Sequence, residues 1–260
     1  MKKAYFSDEE RERMYVDTLN FYIDGIMKDE AQSIIFVENS GWNLEHLKRR
    51  LHPYDMDRLL FVSLPPDSFD ISKGKGYNEL LMMNMAVEQS QIIKDAGGFV
   101  KVTGRYPFYN LTYFVDKATQ AIEDGKVLYC DVKDHRLYDW FRLGWSGHSF
   151  YAPLYGVRLD YYLQSIAPRY KEMNDYDGHL FEGVLFELMK QEMAHGVCKR
   201  RGDIGNGKID ARFKKEPVCG GLQGSRIAAV SFSLDQNDWK SKLKRFIGNS
   251  IRMLTPWFWF

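Results

Sequence analysis

Cysteine is scarce. Cys130, Cys198 and Cys219 are the only three in 260 residues, widely spaced and without a CxxC pair. That excludes a disulfide framework, offers no zinc-ligand spacing, and suits a reducing compartment. His46, His52 and His135 likewise have no partner at metal-ligand spacing. No apolar run reaches the roughly 18 residues of a membrane span. The opening MKKAYFSDEERERMY has two lysines but no apolar stretch behind them, so a cytoplasmic chain without a secretory signal is expected. Neither charge sign dominates: 36 Lys and Arg against 35 Asp and Glu leave a net charge of +1. Such a balance gives no general reason to expect nucleic-acid binding. Internal repeats, low-complexity tracts and linker-like stretches are also missing, which speaks for one domain.

What is present is an ordinary globular composition, 45% hydrophobic and 27% charged, enough for a packed core. Residues 7–26 read as a helix with a capping box, Ser7 followed three residues on by Glu10. Short apolar runs at 33–39, 59–64, 99–105 and 127–131 read as buried strands. Helical patterns at 44–51, 79–95 and 111–124 alternate with them. This order predicts an α/β fold, a mostly parallel sheet with helices on both faces. After Asp131 aromatics become dense (Tyr138, Trp140, Phe141, Trp145, Phe150, Tyr151, Tyr155). Helices are expected at 159–166 and 179–193, a long Gly- and Lys-rich loop at 196–225, a strand at 227–233 and a last helix from 235.

In open α/β sheets, ligands sit at the carboxyl ends of parallel strands. Three runs here end in polar residues: Glu38-Asn39-Ser40, Thr103-Gly104-Arg105, and Asp131 with Asp134. Each alone also reads as a turn or cap. The loop Gly74-Lys75-Gly76-Tyr77-Asn78-Glu79 precedes a helix, where backbone N–H groups and the helix dipole favour an anion, although GxxxxGK[ST] is absent. Arg105 suits a phosphate equally with a structural ion pair to Glu79 or Asp131. Asp175, Asp177 and Glu182 cluster at a helix start. Asp177 reads as its cap and Glu182 as the better general base.

The order IIFVENSGWNL, GKGYNE, FVKVTGRY, a strand ending in Cys130-Asp131, then an acidic helix resembles bacterial capsule and lipopolysaccharide glycosyltransferases of the GT-A, nucleotide-diphospho-sugar transferase fold. The resemblance covers about residues 7–187. It implies a GT-A-like catalytic domain over 1–234. The opening strand of that fold has no counterpart, because this chain begins in the helix that follows it. The Asp-X-Asp metal motif of many such enzymes is replaced by Thr103-Gly104-Arg105. Either Arg105 and nearby lysines neutralise the diphosphate, or Asp131 and Asp134 hold Mn or Mg. The implied donor site comprises Glu38, Asn39, Lys75, Gly76, Tyr77, Glu79, Thr103, Gly104, Arg105 and Asp131, with Glu182 or Asp177 as base.

The expected reaction moves a sugar from a nucleoside diphosphate sugar to a hydroxyl of a surface glycan, capsule or lipopolysaccharide, with a lipid-linked glycan among the acceptors to consider. A nucleotidyl- or phosphotransferase of sugar-nucleotide metabolism, and a non-catalytic subunit of a glycan assembly complex, are the rival readings. Residues 235–260 form a separate feature. Trp239, Leu243, Phe246, Ile247, Ile251 and Leu254 recur at helical spacing among Lys240, Lys242, Lys244, Arg245 and Arg252, and Trp257-Phe258-Trp259-Phe260 follows Pro256. This reads either as a peripheral anchor on the inner leaflet of the cytoplasmic membrane or as a helix packed on the domain.

Overall fold

The computed structural model describes residues 6–134, 148–194, 203–204, 207–225, 230–233 and 239–254. Tyr138, Trp140, Phe141 and Trp145, the basic run 199–201, Cys198, Arg226 and the aromatic tail 257–260 fall outside them.

Helix α1 (Asp8–Gly25) begins with the expected capping box: Ser7 Oγ accepts from Glu10 N, and Glu10 accepts from Ser7 N. Its apolar face buries Val16, Leu19 and Ile23 against Phe36, Leu47 and Leu59. These belong to β1 (Ile34–Glu38), α2 (Leu44–Lys48) and β2 (Leu59–Ser63). β1 and β2 pair in parallel, from Ile34 opposite Leu59 to Glu38 opposite Ser63. Glu12 of α1 is buried and fastens this subassembly, accepting from Trp42 Nε1 at 2.7 Å and Arg50 Nη1 at 2.7 Å.

Next come α3 (Gly74–Gln89), α4 (Gln91–Ala96), β3 (Gly98–Val102), α5 (Leu111–Glu123) and β4 (Leu128–Tyr129). The helix expected to start at Glu79 starts at Gly74 instead, inside the Gly-rich loop, and it is broken at Ser90, whose hydroxyl caps α4. Then follow β5 (Val132–Asp134), β6 (His148–Phe150), β7 (Leu154–Arg158), the expected helical stretch at 159–166, whose turns widen to π spacing over Tyr162–Ile166 and tighten to 3-10 over Ala167–Glu172, a short 3-10 turn at Asp175–Asp177, and α6 (Phe181–Ala194). The remaining elements are β8 (Asp203–Ile204), β9 (Ile209–Asp210), β10 (Leu222–Ser225), β11 (Val230–Ser233) and α7 (Trp239–Leu254).

The fold is mixed α/β, and the main sheet corrects the expectation of mostly parallel pairing. Its order is β3-β7-β4-β9-β8. Only β4 and β9 pair in parallel there; β3 with β7, β7 with β4, and β8 with β9 are antiparallel. β3 and β4 do run the same way, as a crossover through α5 demands. The difference is β7, which comes back between them. Its sequence, Leu154-Tyr155-Gly156-Val157, is buried on both faces. β9 arises from the stretch expected to be a loop: two residues suffice once neighbouring chain supplies the ladder, and such a strand has no pattern of its own to read.

Helices do cover both faces. Leu154 packs with Phe114 and Ala118 of α5 on one side. Tyr155 and Val157 pack with Leu80 of α3 and Leu185 of α6 on the other. Gly156 lets α5 approach, since a Cβ there would lie 2.4 Å from Ala118 Cβ. Each such fully buried Leu or Val contributes about 1.5–3 kcal/mol by leaving water. Among the described residues no helix is long and apolar enough to cross a membrane.

Candidate functional site

The ends of β1 and β3, the first turns of α3 and α6, and one face of α1 converge on a cluster of charges. The hydroxyls of Tyr15 (α1) and Tyr106 (just past β3) report which charges meet there. Both are raised above the ordinary tyrosine value chiefly by burial. Arg105 acts on both to lower them, and Glu79 acts on both to raise them. Arg11 and Glu38 act on Tyr15; Cys219 and Glu182 act on Tyr106. Direct contacts tie these elements together: a Cβ on Gly104 would meet the rings of Tyr15 and Phe36, and Lys101 Nζ lies 2.5 Å from Glu79 and 5.7 Å from the centre of the Phe181 ring at the start of α6.

Within the cluster some charges are committed and others are not. Glu79 is held by Lys101, whose Nζ lies 2.5 Å from Oε1 and also donates to the Ala152 carbonyl at 2.7 Å. Burial opposes ionisation of Glu79, but Lys101 and then Lys75 bring its carboxyl down to about 2. Lys75, expected as a phosphate ligand, is mostly exposed and lies 3.5 Å from Glu79 Oε2. Glu38 accepts from Ser40 N at 2.8 Å and Ser40 Oγ at 2.5 Å, closing the turn after β1. Arg105 is half-buried and, among the described residues, makes no ion pair and no hydrogen bond. Glu182, also half-buried, has no hydrogen-bond or ion-pair partner among them either. Neither Glu79 nor Asp131 forms the ion pair with Arg105 that the sequence left open.

The start of α3 differs from expectation in an instructive way. An anion does sit on its first N–H groups, but it is the chain's own Asp175. That carboxylate accepts from Lys75 N at 2.6 Å and from Gly76 N at 3.2 Å. The free amides and dipole of a helix start favour any carboxylate that reaches them. Gly74 permits the contact: its φ is +86°, and a Cβ would fall 2.5 Å from Asp175 Cβ. Tyr77 packs against the ring of Tyr170, centroids 5.3 Å apart.

Asp177 does not cap α6, which begins four residues later at Phe181. It is exposed and accepts from Asn174 Nδ2 at 2.6 Å. Asn174 itself caps the turn Asp175–Asp177. Thr103 donates its N–H to the Pro153 carbonyl at 3.1 Å, and Gly104 packs beneath Tyr15. Asn39 is half-buried beside Glu38.

Asp131 and Asp134 do not make a metal site together. Their odd spacing along an extended chain puts them on opposite faces. Asp131 is buried and accepts from Phe213 N at 3.1 Å, tying β4 to the segment after β9. Asp134 instead lies 2.8 Å from His148 Nδ1. Among the described residues no group of three metal-ligating side chains assembles.

Asp134 and His148 belong to a groove of about 1100 Å³ whose wall also includes Arg169, His179, Phe186 and Lys190. Gly183 and Val184 of α6 line it as well.

Sequence reasoning passed over Tyr15 and Lys101. A lysine inside the apolar run Phe99-Val100-Lys101-Val102 was the available signal, since an amine is buried only with a partner. Cys219 faces the Tyr151 hydroxyl at 3.9 Å, and burial pushes its thiol up to about 11, so it stays protonated near neutral pH. No protein-family model and no curated protein matches this chain.

Proposed function

We propose that the chain transfers a sugar from a nucleoside diphosphate sugar to a glycan hydroxyl on a GT-A-like fold. The observation that carries the reading is that, among the described residues, Arg105 and Glu182 make no ion pair or hydrogen bond, while both act on the buried Tyr106. Of the nearby carboxylates, Glu79 is held by Lys101, Glu38 by Ser40, Asp175 by backbone amides and Asp177 by Asn174. The two free charges are those the reaction uses. The bond from the anomeric carbon to the diphosphate breaks, its electron pair leaves on the diphosphate oxygen, and Arg105 stabilises that charge. The acceptor oxygen bonds to the anomeric carbon and its proton passes to Glu182. The acceptor hydroxyl must reach Glu182 itself, and the groove lined by Gly183, Val184 and Phe186 opens beside that residue in sequence. Aromatic walls such as Phe186 suit a sugar ring.

The rival nucleotidyl- or phosphotransferase reading would need a metal held by Asp131 and Asp134; here the first accepts from Phe213 N and the second lies beside His148. Metal-dependent turnover of a nucleoside triphosphate would favour it. Calorimetry with nucleoside diphosphates tests the proposal. The protein binds at least one of them without added metal, and Arg105→Ala weakens that binding at least roughly tenfold. No heat with any nucleoside diphosphate or nucleoside diphosphate sugar would defeat it.

A further inference from the structure

We propose that α7 docks on an anionic lipid bilayer, a property independent of the transferase reading. At 3.6 residues per turn, Trp239, Leu243, Phe246, Ile247 and Leu254 fall in one stripe about 100° wide. All five side chains are exposed, Trp239 at 68% and Phe246 at 69%. A helix in a water-soluble domain normally turns such a stripe inward. Here the opposite side is the one attached. Gly248 lies against Glu216, and Asn249 Oδ1 accepts from Glu216 N at 2.8 Å. Asn249 and Gly248 sit on the helix face away from the stripe, so the docking contact itself holds the apolar side outward.

The charge pattern selects the occupant. Residues 239–254 contain no acidic side chain. Lys240 and Lys242 flank the stripe on its two edges and, with Lys244, are exposed. A second copy of the same helix would bring lysine rows against lysine rows, whereas an anionic surface meets them with opposite charge. Trp239 and Phe246 are the residue types that settle at the headgroup–acyl boundary. A helix lying in that plane needs no spanning length, in keeping with its sixteen residues.

Vesicle co-sedimentation of the full chain tests this. Vesicles of phosphatidylcholine with phosphatidylglycerol are compared with phosphatidylcholine alone, at low and high salt. The protein sediments with the anionic vesicles, and its affinity falls at least roughly tenfold in high salt as the lysine contribution is screened. Leu243→Ser with Phe246→Ser removes binding without lowering Tm, because both side chains are exposed. Lys240→Gln, Lys242→Gln and Lys244→Gln together weaken binding to the level seen with neutral vesicles. Failure of the unaltered chain to bind anionic vesicles overturns the proposal, even should a variant fail to fold. Undiminished binding by the folded serine variant overturns it too. So does a dimer in light scattering that the serine variant dissolves, since a second copy would then cover the stripe.

Discussion

The ammonium of Lys101 lies 2.5 Å from the carboxylate of Glu79, with Lys101 only 9% exposed. A strand residue of the main sheet is thereby tied to the first turns of α3, and a carboxylate at the site edge is taken out of play. Breaking such a pair from one side leaves an uncompensated buried charge, costing on the order of 3–5 kcal/mol. Lys101→Met should lower stability by about that much in urea unfolding, and Glu79→Gln added to it should restore part of the loss. A Lys101→Met protein as stable as the parent would show that the pair contributes nothing to the fold.

The same pair sets a pH dependence. The folded-state carboxyl of Glu79 titrates near 2, below its ordinary 4.5. A depressed acid contributes stability that is present above the unfolded value and is lost as pH falls through the folded one. Unfolding free energy should therefore decline between about pH 4.5 and 2. Glu79→Gln should flatten the curve in that window, and denaturation at stepped pH reads it directly.

Arg105→Ala should leave Tm nearly unchanged, because no carboxylate among the described residues depends on it. Nucleoside diphosphate affinity should fall by about 10- to 150-fold, the equivalent of roughly 1.5–3 kcal/mol for a charge-assisted bond. Arg105→Lys should recover only part, since an ammonium cannot match the bidentate fork. A large drop in Tm with unchanged affinity would make Arg105 structural.

Glu182→Gln keeps shape and removes the base. Turnover should fall roughly 10²- to 10⁴-fold with donor affinity unchanged in calorimetry. Near-normal turnover would move the base elsewhere, with the His148–Asp134 pair of the groove as the next group to test.

Asp175→Ala withdraws the acceptor from Lys75 N and Gly76 N. The loss should resemble that of a helix cap, about 0.5–2 kcal/mol. Asp175→Asn should lose less, because its carbonyl oxygen still accepts. Thermal melts of the two variants distinguish a cap from an incidental contact, which would leave both unchanged.

Local chemistry was enough to determine several features from the sequence alone. The α1 capping box, the run at β1 and β2, and the amphipathic stripe of α7 each depend on residues a few positions apart, where period and side-chain type act directly. The exposure of that stripe was not among them. Periodicity marks an apolar face but says nothing of what lies opposite; contacts such as Glu216 with Gly248 and Asn249 hold the other side of α7 to the domain. Likewise Glu38, Glu79, Arg105 and Glu182 could be picked out one by one as site-forming types, but which of them remain unpaired is a property of long-range partners. Ser40 holds Glu38 within a local turn, but Lys101 reaches Glu79 through a chain reversal that no spacing encodes. β7 is the clearest case. Its five residues read as aromatic-rich texture along the chain, yet by returning between β3 and β4 they set the antiparallel order of the sheet, because strand pairing is fixed by neighbours distant in sequence and not by the strand's own pattern.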